Sequence, residues 1–539
     1  MRIPLVYKPG IQRDGTDFQD EYCIDGQWIR FVGGKIKKMK GNKEIHRPLN
    51  NITPNFLTVY NTANNYILIY ASHNQVHRCI TDLDTVSDDI AVLGSDTGQQ
   101  PLFLTDDQNR TWQSAKFIGQ DGNPYLALLS ISNGNNMLSS SNGTLYWKSM
   151  LQDDTFQGYE DELIPGNTNN IVSGGILFSN PCLYLYGNNG TIIRSKTRDP
   201  LDFSGGDSGV YKISENKLIF GASIRGGTNS PSFLFWTENS VLYLTNVADP
   251  ANVDQPVDFQ REEITTNSSL MSSRSVVQYD SLFFWLGTDR VFVYNGIVDN
   301  VKNDVNFEYF LENVDLNKRQ KIYGYKIARN GEVRWAYPEK INRNDPTIGC
   351  TRELVYNVRE NSWYDTAIRR DCVTVYEATG DIFSYGESCA NYPYDLLQTY
   401  KSIWKQETGY NEVRLGGLQN NIPSFFTTPY FGFVAFNPAK NGNAIDKYIV
   451  LDQIEPDFPA PAGYTRTIND QLLISVSYKK YASNPRTLIT PLTYNLYPGT
   501  SPGKIDLRIS ARFMTVTFAC VYPYNVGTIL INYKEGSNQ

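Results

Sequence analysis

Val276-Val-Gln-Tyr-Asp-Ser-Leu-Phe-Phe-Trp-Leu-Gly-Thr-Asp-Arg-Val-Phe-Val-Tyr-Asn-Gly296 is the stretch whose reading decides the fold. It divides into three short strands, Val276–Tyr279, Leu282–Leu286 and Arg290–Tyr294. They are separated by Asp280-Ser281 and Gly287-Thr288-Asp289 and closed by Asn295-Gly296. β-Branched and aromatic runs bounded by Gly, Asn and Asp signal hairpins, because those turn residues tolerate the positive φ of tight turns. The middle strand is apolar at every position, so both of its faces must be covered. A meander this small cannot cover them itself.

The cover is supplied by copies. Ser232-Phe-Leu-Phe-Trp236 leads through Thr-Glu-Asn-Ser into Val241-Leu-Tyr-Leu, and Cys182-Leu-Tyr-Leu-Tyr186 through Gly-Asn-Asn-Gly into Thr191-Ile-Ile. Downstream, Asn330-Gly331 turns into Val333-Arg-Trp335 and Thr379-Gly380 into Ile382-Phe-Ser-Tyr385. The strand-ending aromatics Tyr186, Trp236, Trp285, Trp335 and Tyr385 are spaced 50, 49, 50 and 50 residues apart. Looser copies end at Leu129 and Tyr70, at steps of 57 and 59, with polar insertions such as Asn133–Gly143. Seven sheet units at this period predict an all-β chain built on a β-propeller of about seven blades, with Tyr70, Leu129, Tyr186, Trp236, Trp285, Trp335 and Tyr385 as the blade-repeat core. A large β-sandwich with evenly spaced hairpins is the alternative reading.

Composition agrees with strands. Of 539 residues, 36 are Tyr and 26 Phe, while Met is scarce at 6, and aromatic side chains pack well on a pleated surface. The best short helix candidate is Tyr394–Lys405. The net charge of −7 repels nucleic acid in bulk. Met1-Arg-Ile-Pro-Leu-Val-Tyr7 lacks the apolar region of a secretion signal, and no apolar run is long enough to span a bilayer. Seven cysteines with no Cys-x-x-Cys pair argue against a disulfide framework or a zinc site and for a reducing interior.

Three regions follow. Residues 1–45 read as an N-terminal β-hairpin arm, where Asp25–Val32 turns through Gly33-Gly34 into a return strand carrying Lys35, Lys37, Lys38, Lys40 and Lys43. These five lysines are the candidate partner contact, toward phosphate or an acidic surface; the other reading is a solvated edge strand guarded by lysine. Residues 46–390 hold the propeller. Residues 391–539 form a C-terminal β-sandwich-like domain, with strands expected at Lys447–Leu451, Gln471–Tyr481, Lys504–Ile509, Arg512–Val521 and Thr528–Tyr533. The N-terminal hairpin is a candidate to complete that domain.

The sequence nominates no catalytic, cofactor-binding or metal-binding residues. There are three histidines, His46, His73 and His77. The His73-x-x-x-His77 spacing suits a helical metal pair but lies in strand-rich sequence, where it does not converge. Gly206-Asp-Ser-Gly209 copies the surroundings of a serine nucleophile without its His base. Asp82-x-Asp84-x-x-x-Asp88-Asp89 lacks the Gly and distal Glu of a calcium loop and reads as a solvated acidic loop.

Three stretches carry a resemblance. Asp25-Gly-Gln-Trp-Ile-Arg-Phe-Val-Gly-Gly34, followed by Lys38 and Gly41, resembles the opening of the tail-hub or nozzle proteins of short-tailed bacteriophages, also called packaged-DNA stabilisation proteins. Lys318–Tyr323, Val333–Pro338, Leu354–Val358 and Asn361–Tyr364 are similar to a mid-chain segment of that family. Ile505–Arg512 and Val526–Tyr533 resemble its C-terminal strand pair, with Ala511 where a Gly is usual and no Trp-Arg before Val526.

The resemblance implies a structural virion protein without enzymatic activity, located in the tail and assembled in the host cytoplasm. Six copies are expected to form a ring below the portal and head–tail adaptor. Such a ring continues the DNA channel, retains the packaged genome until ejection, and carries fibres or spikes. Genomic DNA would pass through the lumen without sequence-specific binding, as suits an acidic chain with a pI near 5.3. A receptor- or carbohydrate-binding propeller of a phage tail is the alternative.

Overall fold

The computed structural model describes residues 2–15, 21–49, 52–62, 65–94, 110–132, 143–151, 156–158, 171–224, 232–248, 257–265, 267–342, 348–394, 401–432, 448–481, 483–500 and 503–536. The chain is mostly β, in many small antiparallel sheets, with no closed barrel among the described residues. The deciding stretch forms Val277–Tyr279, Leu282–Leu286 and Val291–Tyr294, and a fourth strand, Val298–Val301, completes its sheet.

Five successive four-stranded sheets are each laid down in simple chain order. They begin at Phe56, Arg110, Gly175, Phe220 and Val277. The repeats of Trp335 and Tyr385 lie in one nine-stranded sheet. Its long strand Ser362–Tyr376 serves both repeats. Ser362–Arg370 pairs with Cys350–Asn357, and after a register shift near Asp371, Cys372–Tyr376 pairs with the strand Asp381–Glu387. A local irregularity of this kind bends and twists a strand, so one strand ends one repeat and starts the next.

Successive repeats share apolar clusters in sequence order. Ile69 and Leu128 lie in one cluster, Leu129 and Leu185 in the next, then Tyr186 and Phe235, Trp236 and Trp285, Phe284 and Trp335, and Tyr325 and Ile382. A further cluster joins Tyr385 and Phe383 back to Leu68 and Tyr70 of the first sheet, so the circuit returns to its start. All seven repeat-core residues are buried. Such large buried side chains supply much of the stabilisation, about 1.5–3 kcal/mol for each one removed from water.

The two ends of the chain are woven together. Asn42–His46 pairs with Lys401–Gln406 as an added strand of the nine-stranded sheet, and Asn42-Lys43 also pairs in parallel with Glu412-Val413. Two further sheets lie over a common core. One runs in the order Arg2–Pro4, Leu530–Glu535, Ile449–Glu455, Ile505–Ala511. The other includes Gln471–Lys479, Phe513–Cys520, Ser424–Thr427 and Asp25–Gln27. Residues 1–45 thus contribute three strands, Arg2–Pro4, Asp25–Gln27 and Asn42–His46, that pair with strands from the far end of the chain.

The helix expected over Tyr394–Lys405 is not found where it can be seen. Lys401–Gln406 is a strand, its residues Ser402, Ile403 and Trp404 buried between two partners; 395–400 lie outside the described residues. A short α-helix occurs instead at Phe307–Asn313, where Asp14 receives the backbone N–H groups of Glu308 and Tyr309.

Candidate functional site

The lysine hairpin follows from the sequence pattern. Ile29–Val32 and Lys35–Lys38 pair through Gly33 and Gly34, both at positive φ (61° and 71°) as a two-residue hairpin turn requires. Both glycine N–H groups donate to the Glu360 carboxylate, which fixes the turn against the body. Strand alternation sorts the lysines. Ile36 and Lys38 point inward; Lys35 is exposed and Lys37 half-buried. Lys40 is exposed, and half-buried Lys43 lies 3.6 Å from Asp84.

Lys38 is therefore not part of a surface patch. Its ammonium donates to the carbonyls of Ile422, at 2.6 Å, and Val521. Burial pushes its pKa down to about 7. The accessible part of the candidate contact reduces to Lys35, Lys37 and Lys40, which make no ion pair among the described residues.

Beneath the hairpin lies a buried ion network. Arg30 makes a bidentate pair with Glu407 and lies 3.0 Å from Glu332. Arg334 bridges Glu332 (2.7 Å) and Glu353 (2.9 Å). Tyr364 and Tyr325 donate the hydroxyls that complete the two glutamates, each at 2.8 Å. Burial alone would raise the Glu407 pKa, but Arg30 outweighs it and holds the carboxyl at about 2. A second network joins Arg13 to Asp25 and Asp365, and Arg352 to Asp365 and Glu339, with both guanidiniums over the Tyr309 ring. These pairs fix geometry more than they stabilise, since burying each charge costs nearly what pairing returns.

Gly41 shows how tightly the segment is held. A Cβ there would sit 2.0 Å from the Asn411 carbonyl oxygen, and the backbones of Gly41 and residues 408–409 exchange hydrogen bonds.

The sequence matches no known family model and no curated protein. Among solved structures it is similar to Saccharomyces cerevisiae Sqt1, at 8% identity over 65% of this chain and 97% of that one, with a TM-score of 0.35. A functionally unknown protein from Desulfotomaculum acetoxidans DSM 771 is similar at 13% identity over 62% and 95%, with a TM-score of 0.32. Likeness at this level carries no argument about function.

The charged groups of both networks are paired with one another, and most of them lie away from solvent. The remaining sequence motifs scatter. Asp207 accepts from Thr197 and Arg194, so Gly206–Gly209 is a braced loop. Asp82 caps its own turn by accepting from Asp84 and Thr85. The expected acidic loop is divided: Asp88 and Asp89 belong to the strand Val86–Gly94, and Asp89 turns inward to meet His46 and His77. Sequence reasoning missed this meeting, because the inward turn of Asp89 is set by an irregular strand pairing that no local pattern announces. No described helix is long and apolar enough to cross a membrane.

Proposed function

We propose that the chain is a structural virion protein, the tail hub or nozzle of a short-tailed phage, and that its seven packed repeats form a β-propeller. One observation carries the reading. The three stretches that resemble the family are far apart in sequence yet share one apolar core, in which Trp28, Ile29 and Phe31 pack with Val355, Tyr364, Ile509, Val526 and Ile531. Residues that recur for a shared architectural reason are expected to meet in this way.

Other features support it. The circuit of seven clusters between successive repeats is the packing expected of propeller blades, each unable to bury its own faces. The chain is acidic, so a lumen built from it would not grip the DNA passing through. Lys35, Lys37 and Lys40 are the proposed contact with an acidic face of the adaptor ring, and six copies are the proposed ring.

Light scattering on the purified protein, with and without adaptor rings, and binding and cleavage assays on host polysaccharide test this. A ring-sized assembly that neither binds nor cuts glycan supports the conduit. A monomer that retains polysaccharide points to the receptor-binding alternative.

A further inference from the structure

We infer that His46, Cys79 and Asp89 form a binding site for a divalent transition metal of the zinc class, placed at the seam where the circuit of sheets closes. His46 comes from the N-terminal strand Asn42–His46, while Cys79 and Asp89 come from adjacent strands of the first sheet. One ligand atom from each lies within 4.8 Å of the others. Zinc with nitrogen, sulfur and oxygen donors needs these atoms about 3–4 Å apart at bond lengths of roughly 2.0–2.3 Å, so the 2.7 Å His46–Asp89 contact must open slightly while the more distant atoms draw in, which completes three positions and leaves a fourth open. A thiolate in the set selects against magnesium and calcium, which prefer all-oxygen shells.

The local backbone is shaped for this arrangement. The register of the two strands shifts between Arg78 and Ile80, so Cys79 falls opposite the irregular stretch Asp88-Asp89, and Asp88 takes a positive φ of 50°. The irregularity turns the Asp89 carboxylate inward while its neighbour Ile90 is left 47% exposed. An acid inside and an isoleucine outside reverse the usual preference, and such reversals mark functional positions.

The outer partners fit as well. His77 Nδ1 lies 2.9 Å from Asp89 Oδ1, and the Tyr70 hydroxyl donates to Oδ2 at 2.6 Å. His46 Nε2 lies 2.7 Å from the same Oδ2. The His77 ring stacks on Tyr70 at 4.9 Å. Carboxylate ligands in metal sites are held by such neighbours, which fix their direction. Binding would form a metal–sulfur bond as the Cys79 thiol proton leaves to solvent, with His46 coordinating through a ring nitrogen. The metal would pin the N-terminal strand to the first sheet.

Full-length protein, stripped with chelator and reloaded, supplies the test. About one equivalent of zinc per chain should survive gel filtration in metal-free buffer. Cobalt should give thiolate-to-metal charge-transfer absorption that disappears in Cys79→Ser and persists in Cys182→Ser, a buried cysteine of another sheet. If Cys79→Ser fails to fold, His46→Gln at its partly exposed position should still lose the zinc. No retained metal in the parent protein, or undiminished metal in His46→Gln, would overturn the site and leave a hydrogen-bonded cluster only.

Discussion

Arg30 and Glu407, 377 positions apart in the chain, face each other in a buried bidentate ion pair. The pair ties the N-terminal hairpin to the segment that follows the last repeat. Removing Arg30 takes from the buried Glu407 carboxylate its bidentate partner and leaves it Arg329 at 3.7 Å. Arg30→Met should therefore cost about 3–5 kcal/mol, and Arg30→Met with Glu407→Met substantially less than the sum of the single changes. Urea denaturation of the single and double variants, read as a double-mutant cycle, measures this coupling.

Trp236 and Trp285 meet edge to face, 5.6 Å apart, between two consecutive sheets. Both are fully buried. Trp285→Ala should destabilise by about 3–5 kcal/mol through lost burial and the cavity left behind. The double variant with Trp236→Ala should show a coupling of about 1 kcal/mol from the ring–ring contact. Thermal unfolding monitored by near-ultraviolet circular dichroism checks both.

Lys38 makes stability depend on pH. Its folded pKa of about 7 lies below the usual 10.5, so between those values the unfolded chain binds more protons. Its contribution is fully present above the unfolded pKa and is lost as pH falls through about 7. The stability difference between the parent protein and Lys38→Met should therefore shift in favour of the parent as pH rises from 7 to 10. A pH-independent difference would contradict the buried, partly neutral lysine.

Gly41→Ala should disrupt the approach of the N-terminal strand to Asn411, since backbone rather than a flexible side chain occupies the space. By contrast, changing Lys35, Lys37 and Lys40 together to Glu should alter stability by only about 0.5 kcal/mol per site, as surface changes do. That triple variant should still fold yet lose adaptor binding in a co-sedimentation assay.

The repeat was legible because its signals are local. Turn residues and wholly apolar second strands mark each unit, and Tyr70, Leu129, Tyr186, Trp236, Trp285, Trp335 and Tyr385 are all buried. Lys38 was grouped with the exposed lysines, although strand alternation puts it on the same face as the buried Ile36. Partners such as Arg30 and Glu407 were not legible, because no local pattern announces a contact across most of the chain. The shared strand Ser362–Tyr376 reads from sequence as two strands. Its continuity comes from register shifts that sequence periodicity does not encode. Asp89 escaped for the same reason, its inward turn being set by an irregular pairing.

Electron microscopy of the purified protein mixed with adaptor rings tests the central proposal most directly. The account predicts closed rings with a central hole, stacked coaxially on the adaptor and lost in the Lys35, Lys37 and Lys40 triple variant. A monomer or trimer that ignores the adaptor would contradict it.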